Sequence, residues 1–291
     1  VPFAIAKSKI TIRNLLTHTS GFTYSPDVLG VGDVAEQYAE LGVMSQRYSL
    51  VENLELLSQI PLVAHPGTSF NYSVSVDVLG AVVEKITGMR LGEYLDMNFF
   101  KPMGMNDTAF LVPDEKRSRF ARFYEVASIK NPAPVIDGSK ISWEIAETAP
   151  FGLPYEYWGK PPRYDGGGGG LYSTAADFLK YAEMVAAGGV YDGRTYLKPE
   201  TAAIHFQDLM PELGLEAFEA AFGEAAQFMK FGGGYGIKMD EDGSGAVDYY
   251  FWGGAANTFF WIDGEDQSVG VFFTHIWPPR YNMSDQIEQM V

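Results

Sequence analysis

The sequence contains no cysteine. That excludes disulfide scaffolds, thiolate nucleophiles and cysteine-type zinc sites, and it leaves the redox compartment open. No run of about 18 apolar residues reads as a membrane span. Basic residues are few, 21 Lys and Arg against 37 Asp and Glu, for a net charge of −16. That balance argues against nucleic-acid or anionic-membrane partners, which need a basic face, and solubility accounts for it. The pentapeptide G-x-S-x-G, which seats an α/β-hydrolase serine on a tight strand-to-helix turn, does not occur. H-E-x-x-H, the P-loop and G-x-G-x-x-G are missing too. The four histidines, His18, His65, His205 and His275, lie far apart, and a lone histidine is more often structural than catalytic. The acidic turn at 240–245 lacks the later glutamate of a calcium loop. No metal or organic cofactor is implied.

What is present is a folded composition: 291 residues, 46% hydrophobic, 20% charged and 14% aromatic. The first half reads as helix and loop. Residues 10–22 predict a short helix with Ile12, Leu15 and Leu16 inward, ending near Ser20-Gly21. A serine start and leucines at helical spacing predict a helix over 49–60. Over 76–88, Val78, Leu79, Val82, Val83 and Ile86 form an apolar face, and Gly88 is a natural stop. Residues 91–105 predict a helix broken at Pro102. Residues 111–165, with many prolines and aromatics and little periodicity, read as long surface loops. After Gly166–Gly170, Thr174 and Asp177 stand in capping spacing before a helix closed by Gly188-Gly189.

In the last third the period changes. Short aromatic and β-branched runs, separated by the turns EDGSG and GEDQ and by Gly253-Gly254, predict an antiparallel meander. The fold class is α+β. One lobe, 1–165, is mainly helix and loop; the other, 166–291, carries the sheet; a cleft lies between them.

The stretch FNYSVSVDVLG (70–80) raises the question of chemistry. It sets Tyr72 beside Ser73, with Ser75 close behind. A phenol is a poor base at neutral pH unless a cation lowers its pKa from about 10. Enzymes that use one therefore pair it with a lysine, as in S-x-x-K. No serine in this sequence has a lysine three residues later. Ser73 and Ser75 are thus read as caps of the helix that follows. Taken alone, Tyr72 also fits an ordinary buried tyrosine, and Trp252 an ordinary strand aromatic.

Five segments, in order, resemble the serine hydrolases of the class C β-lactamase-like family, with the β-lactamase/penicillin-binding-protein fold. They are ITIRNLLTHTSGF, PGTSFNYSVSVDVLG, KPMGMNDTAF, GGGGGLYSTAADFLKY and FWGGAANTFFWID. The last is similar to the W-G-G strand that family VIII carboxylesterases carry where β-lactamases have K-T-G. The resemblance implies that Tyr72 is the general base. It implies that Trp252, Gly253 and Gly254 form the third motif, with the N–H of Ala255 an oxyanion donor. It makes the His18–Ser20 segment structural and puts the glycine run near the cleft without a catalytic role. Val74 stands where penicillin-recognising relatives have an amide-binding asparagine. With Trp252 in place of lysine, this favours small esters as substrates, cleaved through an acyl-enzyme. β-Lactams, D-amino-acid peptides, acyl transfer, or acyl binding without catalysis are the alternatives. In the family, S-x-x-K precedes the first matching segment by several tens of residues. The sequence opens without Met or a signal pattern and both ends look cut, so the nucleophile is expected in a piece not included here. Oligomeric state stays open, as does the compartment, with a slight lean to the cytoplasm.

Overall fold

The computed structural model describes residues 4–129, 141–145 and 161–277. Its helices are α1 (Ile12–Leu16), α2 (Asp33–Leu41), α3 (Leu50–Leu57), α4 (Ser75–Thr87), α5 (Leu91–Leu95), α6 (Lys101–Met103), α7 (Ala175–Ala186), α8 (Pro199–Ala202) and α9 (Leu215–Phe222). Its strands are β1 (Tyr124–Ile129), β2 (Ile141–Ile145), β3 (Val190–Tyr191), β4 (Arg194–Thr195), β5 (Met229–Phe231), β6 (Gly236–Met239), β7 (Val247–Gly254), β8 (Thr258–Ile262), β9 (Val269–Phe272) and β10 (Ile276–Trp277). The α+β class expected from the sequence is the one observed.

Strands β5 to β9 pair in chain order as an antiparallel meander. β7 and β8 are joined by residues 255–257, and Asn257 takes the left-handed conformation at φ 60° that closes a three-residue hairpin. Alternation gives the sheet two faces. Phe260 and Ile262 face a core shared with Met184 and Val185 of α7 and with Phe100 and Met103. Tyr249, Phe251, Phe259 and Trp261 form an aromatic row on the other side.

Local cap chemistry sets two helix starts as expected. Ser49 and Glu52 form a reciprocal capping box on α3, and Thr174 accepts the N–H of Asp177 on α7. Gly88 ends α4 with φ 70°.

Other elements differ from expectation. Ile12 is 51% exposed while Leu15 is buried. A helical side chain lies over the turn before it, and the first residue of a one-turn helix has no such turn. The 91–105 helix does not break at Pro102. It widens into a π turn at 96–100 and continues as α6 to Gly104. The widened turn accommodates the proline ring and its missing N–H. Within 111–165, residues 130–140 and 146–160 lie outside the described residues, and the remainder is not loop throughout. β1 and β2 pair antiparallel there, and β1 pairs in parallel with β10.

Helix α4 buries most deeply a face other than its apolar one, although Val78, Leu79, Val82 and Val83 are half-buried and Val78 packs on the core of Tyr38, Leu57 and Ile60. Ser75, Asp77 and Gly80 are buried, whereas Ile86 is 78% exposed. The cause is close backbone approach. A Cβ on Gly167 would meet Val76 O at 2.2 Å, so the glycine run lies flat on the start of α4. Only small or hydrogen-bonded residues fit beneath it.

Candidate active site

Tyr72 leads into α4 and is held from both sides. The segment 18–23 runs alongside it. Asn71 N–H donates to His18 O at 2.8 Å, and Val74 N–H to Thr23 O at 3.4 Å. Gly21, at φ 88°, lets the same segment pack on residues 62–64, where a Cβ would lie 2.3 Å from Ala64 O.

Between these segments lies a closed polar network. Ser75 Oγ is 2.7 Å from both Ser20 Oγ and Ser73 Oγ. All three serines are fully buried. The expected capping role is therefore corrected. The N-cap of α4 is Val74, which has no side-chain bond to offer, and both serines turn inward to satisfy each other. Ser73 N–H donates to His18 Nδ1 at 3.2 Å, which leaves the ring proton on Nε2. Burial pushes the His18 pKa down to about 4. None of these serines is presented to a solvent-borne ester, and His18 Nδ1 is already engaged.

Val74 is 2% exposed and packs with Tyr38, Leu57 and Ile60. It does not take the substrate-facing place that its alignment with an amide-binding asparagine implied. The case for esters therefore rests on Trp252.

The structure brings Tyr72 and the W-G-G segment together across 180 residues of sequence. The Tyr72 and Trp252 rings lie 6.0 Å apart, and both pack on a cluster containing Phe70, Phe218 and Phe231. The indole N–H of Trp252 donates to the Tyr72 hydroxyl. Gly253 and Gly254 end β7 at the surface, beside Ala255 in the turn. A Cβ on Gly254 would sit 2.2 Å from Thr258 Oγ1. The turn is pinned from behind by Thr274, whose hydroxyl donates to Asn257 O at 2.8 Å.

Burial pushes the Tyr72 phenol above its ordinary pKa, the Trp252 bond pulls it down, and the charge of Asp77 pushes it further up. Sequence reading missed Asp77 and Tyr24. Tyr24 packs its ring 5.6 Å from Tyr72, and Asp77 lies beneath the glycine run. An acidic residue in the first turn of a helix is usually a solvated one, so nothing local marked Asp77.

Residues 2–289 match the family described as Beta-lactamase. The chain belongs to the beta-lactamase family. Among its relatives is Esterase EstB of Burkholderia gladioli, 35% identical over 182 residues, covering 61% of this chain and 45% of that protein. Protein Rv1367c of Mycobacterium tuberculosis is 29% identical over 266 residues, or 89% of this chain and 60% of that one. The chain thus spans less than two thirds of the length of these relatives. Among solved structures, EstCE1, a hydrolase with promiscuous acyltransferase activity, superposes with a TM-score of 0.70 at 26% identity, covering 94% of this chain and 69% of that one.

Proposed function

We propose that these residues form the larger part of a serine esterase that cleaves small carboxylic esters through an acyl-enzyme. Tyr72 is its general base, and the N–H of Ala255 at the end of β7 is one oxyanion donor. The observation that carries this reading is the meeting of Tyr72 with the W-G-G strand end, where an indole N–H reaches the phenol. Esterase relatives within the family support it.

A phenol raised by burial is neutral at pH 7, so the base needs a cation beside it. Trp252 supplies a donor but no charge. The reading therefore assigns the nucleophilic serine and its lysine, in S-x-x-K spacing, to residues outside the 291. In the reaction, the serine oxygen attacks the ester carbonyl while its proton passes to the Tyr72 oxygen. Collapse of the tetrahedral intermediate breaks the bond to the alcohol, which leaves with that proton. Water then attacks the acyl-enzyme by the same route in reverse. An alcohol in place of water gives acyl transfer, the second activity named for EstCE1.

The test is a comparison of p-nitrophenyl acetate with nitrocefin on the full-length protein. Ester turnover is expected to exceed β-lactam turnover. The reverse order would sink the ester assignment, and no turnover of either would favour a protein that only binds acyl ligands.

A further inference from the structure

Behind Tyr72, a carboxylate and a run of glycines fill space that the reaction above does not use. Asp77 enters α4 within two turns of Tyr72, and its side chain is almost wholly buried. Its Oδ1 accepts Gly168 N–H at 3.2 Å. A Cβ on Gly168 would lie 2.6 Å from Asp77 Oδ2 and 3.3 Å from the Tyr24 hydroxyl. A Cβ on Gly166 would lie 3.2 Å from Asp77 Oδ1. The carboxylate and the Tyr24 hydroxyl thus converge on the glycine backbone, and any side chain there would part them. Tyr24 in turn packs on Tyr72.

The loop that delivers these glycines is fastened on the far side as well. Asp165, also buried, takes Arg90 Nη2 at 2.7 Å and Gly92 N–H at 2.9 Å. The Tyr164 hydroxyl donates to Met44 O at 2.6 Å. Arg90 is committed to Asp165, and the partners of Asp77 are backbone N–H groups, its own and that of Gly168. Among the described residues no cation pairs with Asp77, and an unpaired buried carboxylate carries a desolvation cost of the kind that clusters at functional sites.

We propose that Asp77 is a positioning residue for Tyr72: it seats the glycine run beneath the Tyr24–Tyr72 pair and opposes formation of the Tyr72 phenolate. A negative charge close by keeps the phenol protonated until a cation offsets it. The same charge favours return of the proton to the leaving alcohol. The catalytic consequence rests on Tyr72 being the base; the coupling between the two groups does not.

Among the described residues, a small set of groups faces this pair. Tyr24 comes from the segment after α1, Tyr164 and the Gly168 N–H from the glycine loop, Trp252 from β7, and His18 lies 4.5 Å from the Tyr72 ring. His18 is neutral above about pH 4, while burial lifts Asp77 to about 6. The two titrations fall in separate windows.

The experiment is ¹³C NMR of the full-length protein labelled at tyrosine Cζ, with Tyr72 assigned by loss of its signal in Tyr72→Phe. In the wild type, the Tyr72 resonance should step with a midpoint near pH 6 as Asp77 titrates. In Asp77→Asn, which keeps the shape and the acceptor for Gly168, the step should vanish. The acidic limb of kcat/KM should move down by roughly one pH unit. A wild-type Tyr72 signal that is flat between pH 5 and 7 overturns the proposal, and this reading needs no variant to fold. A step that vanishes in Asp77→Asn while the limb stays put upholds the coupling and removes Tyr72 as the base.

Discussion

The two walls around Tyr72 are built of different materials. The helix wall is polar and closed. Ser20, Ser73 and Ser75 bond one another there, His18 accepts a backbone N–H, and Asp77 lies beneath the glycine run. The sheet wall is aromatic, with Trp252 against Phe231 at 5.2 Å, and it ends in the exposed Gly253 and Gly254. They act on the Tyr72 proton in opposite directions. Burial and the Asp77 charge push the phenol up; the indole N–H pulls it down. If Tyr72 is the proposed base, it sits neutral between two walls that pull its proton in opposite directions, and small changes in either wall should shift it.

The largest effect should come from removing what both walls hold. Tyr72→Phe keeps the ring between Trp252 and His18 and deletes only the hydroxyl. In the full-length protein, kcat for p-nitrophenyl acetate should fall at least ~100-fold, with the unfolding midpoint nearly unchanged. Near-normal kcat would take Tyr72 out of the mechanism and leave it as packing.

The next effect is a stability difference confined to the helix wall. His18 has a folded-state pKa below its unfolded value, so its contribution is present above pH 6.5 and is lost as pH falls toward about 4. Asp77 has a folded-state pKa above its unfolded value, so its contribution is complete below about 3.8 and is lost as pH rises through about 6. Each is worth on the order of 3 kcal/mol, and on acidification they oppose each other. Asp77→Asn removes one partner of that balance. Urea unfolding should find the variant more stable than wild type near pH 7, with the advantage shrinking by a few kcal/mol at pH 4. An advantage that holds constant across that range would mean Asp77 does not titrate there.

A smaller loss should follow from opening the serine network. Ser75→Ala leaves Ser20 and Ser73 without their shared partner in a site closed to water. The cost should be about 1–3 kcal/mol in urea unfolding. A neutral result would mean water or a rotated hydroxyl takes the place of Ser75.

The two walls were unequally legible in the sequence. On the sheet side, alternation with period 2 and short turn signals gave the meander, and Trp252 stood out in its W-G-G setting. The starts of α3 and α7 were legible because Ser49–Glu52 and Thr174–Asp177 act within one turn. The helix wall was not, because its reasons are distant. Val78, Val82 and Ile86 mark an apolar stripe, yet α4 buries Asp77 and Gly80 because Gly167 and Gly168 arrive from some 90 residues away. Ser73 and Ser75 read as caps because their partners, Ser20 and His18, lie 55 residues back. The meeting of Tyr72 with Trp252 followed from the order of family motifs, and no spacing rule would have given it.

The smallest effect tests the sheet wall alone. Trp252→Phe keeps an aromatic ring against Phe231 and Tyr72 and loses the N–H. If that donor steadies the phenolate, its loss raises the Tyr72 pKa, and the acidic limb of kcat/KM moves to higher pH. One hydrogen bond of about 1–1.5 kcal/mol corresponds to roughly a tenfold fall in kcat/KM below the limb. The sign matters more than the size, because Asp77→Asn should move the same limb the other way. Combining the two should return the limb close to its wild-type position if each acts on Tyr72 through charge and hydrogen bonding. A limb that moves down in Trp252→Phe, or does not move, would leave the indole as packing and the helix wall as the sole control of the base.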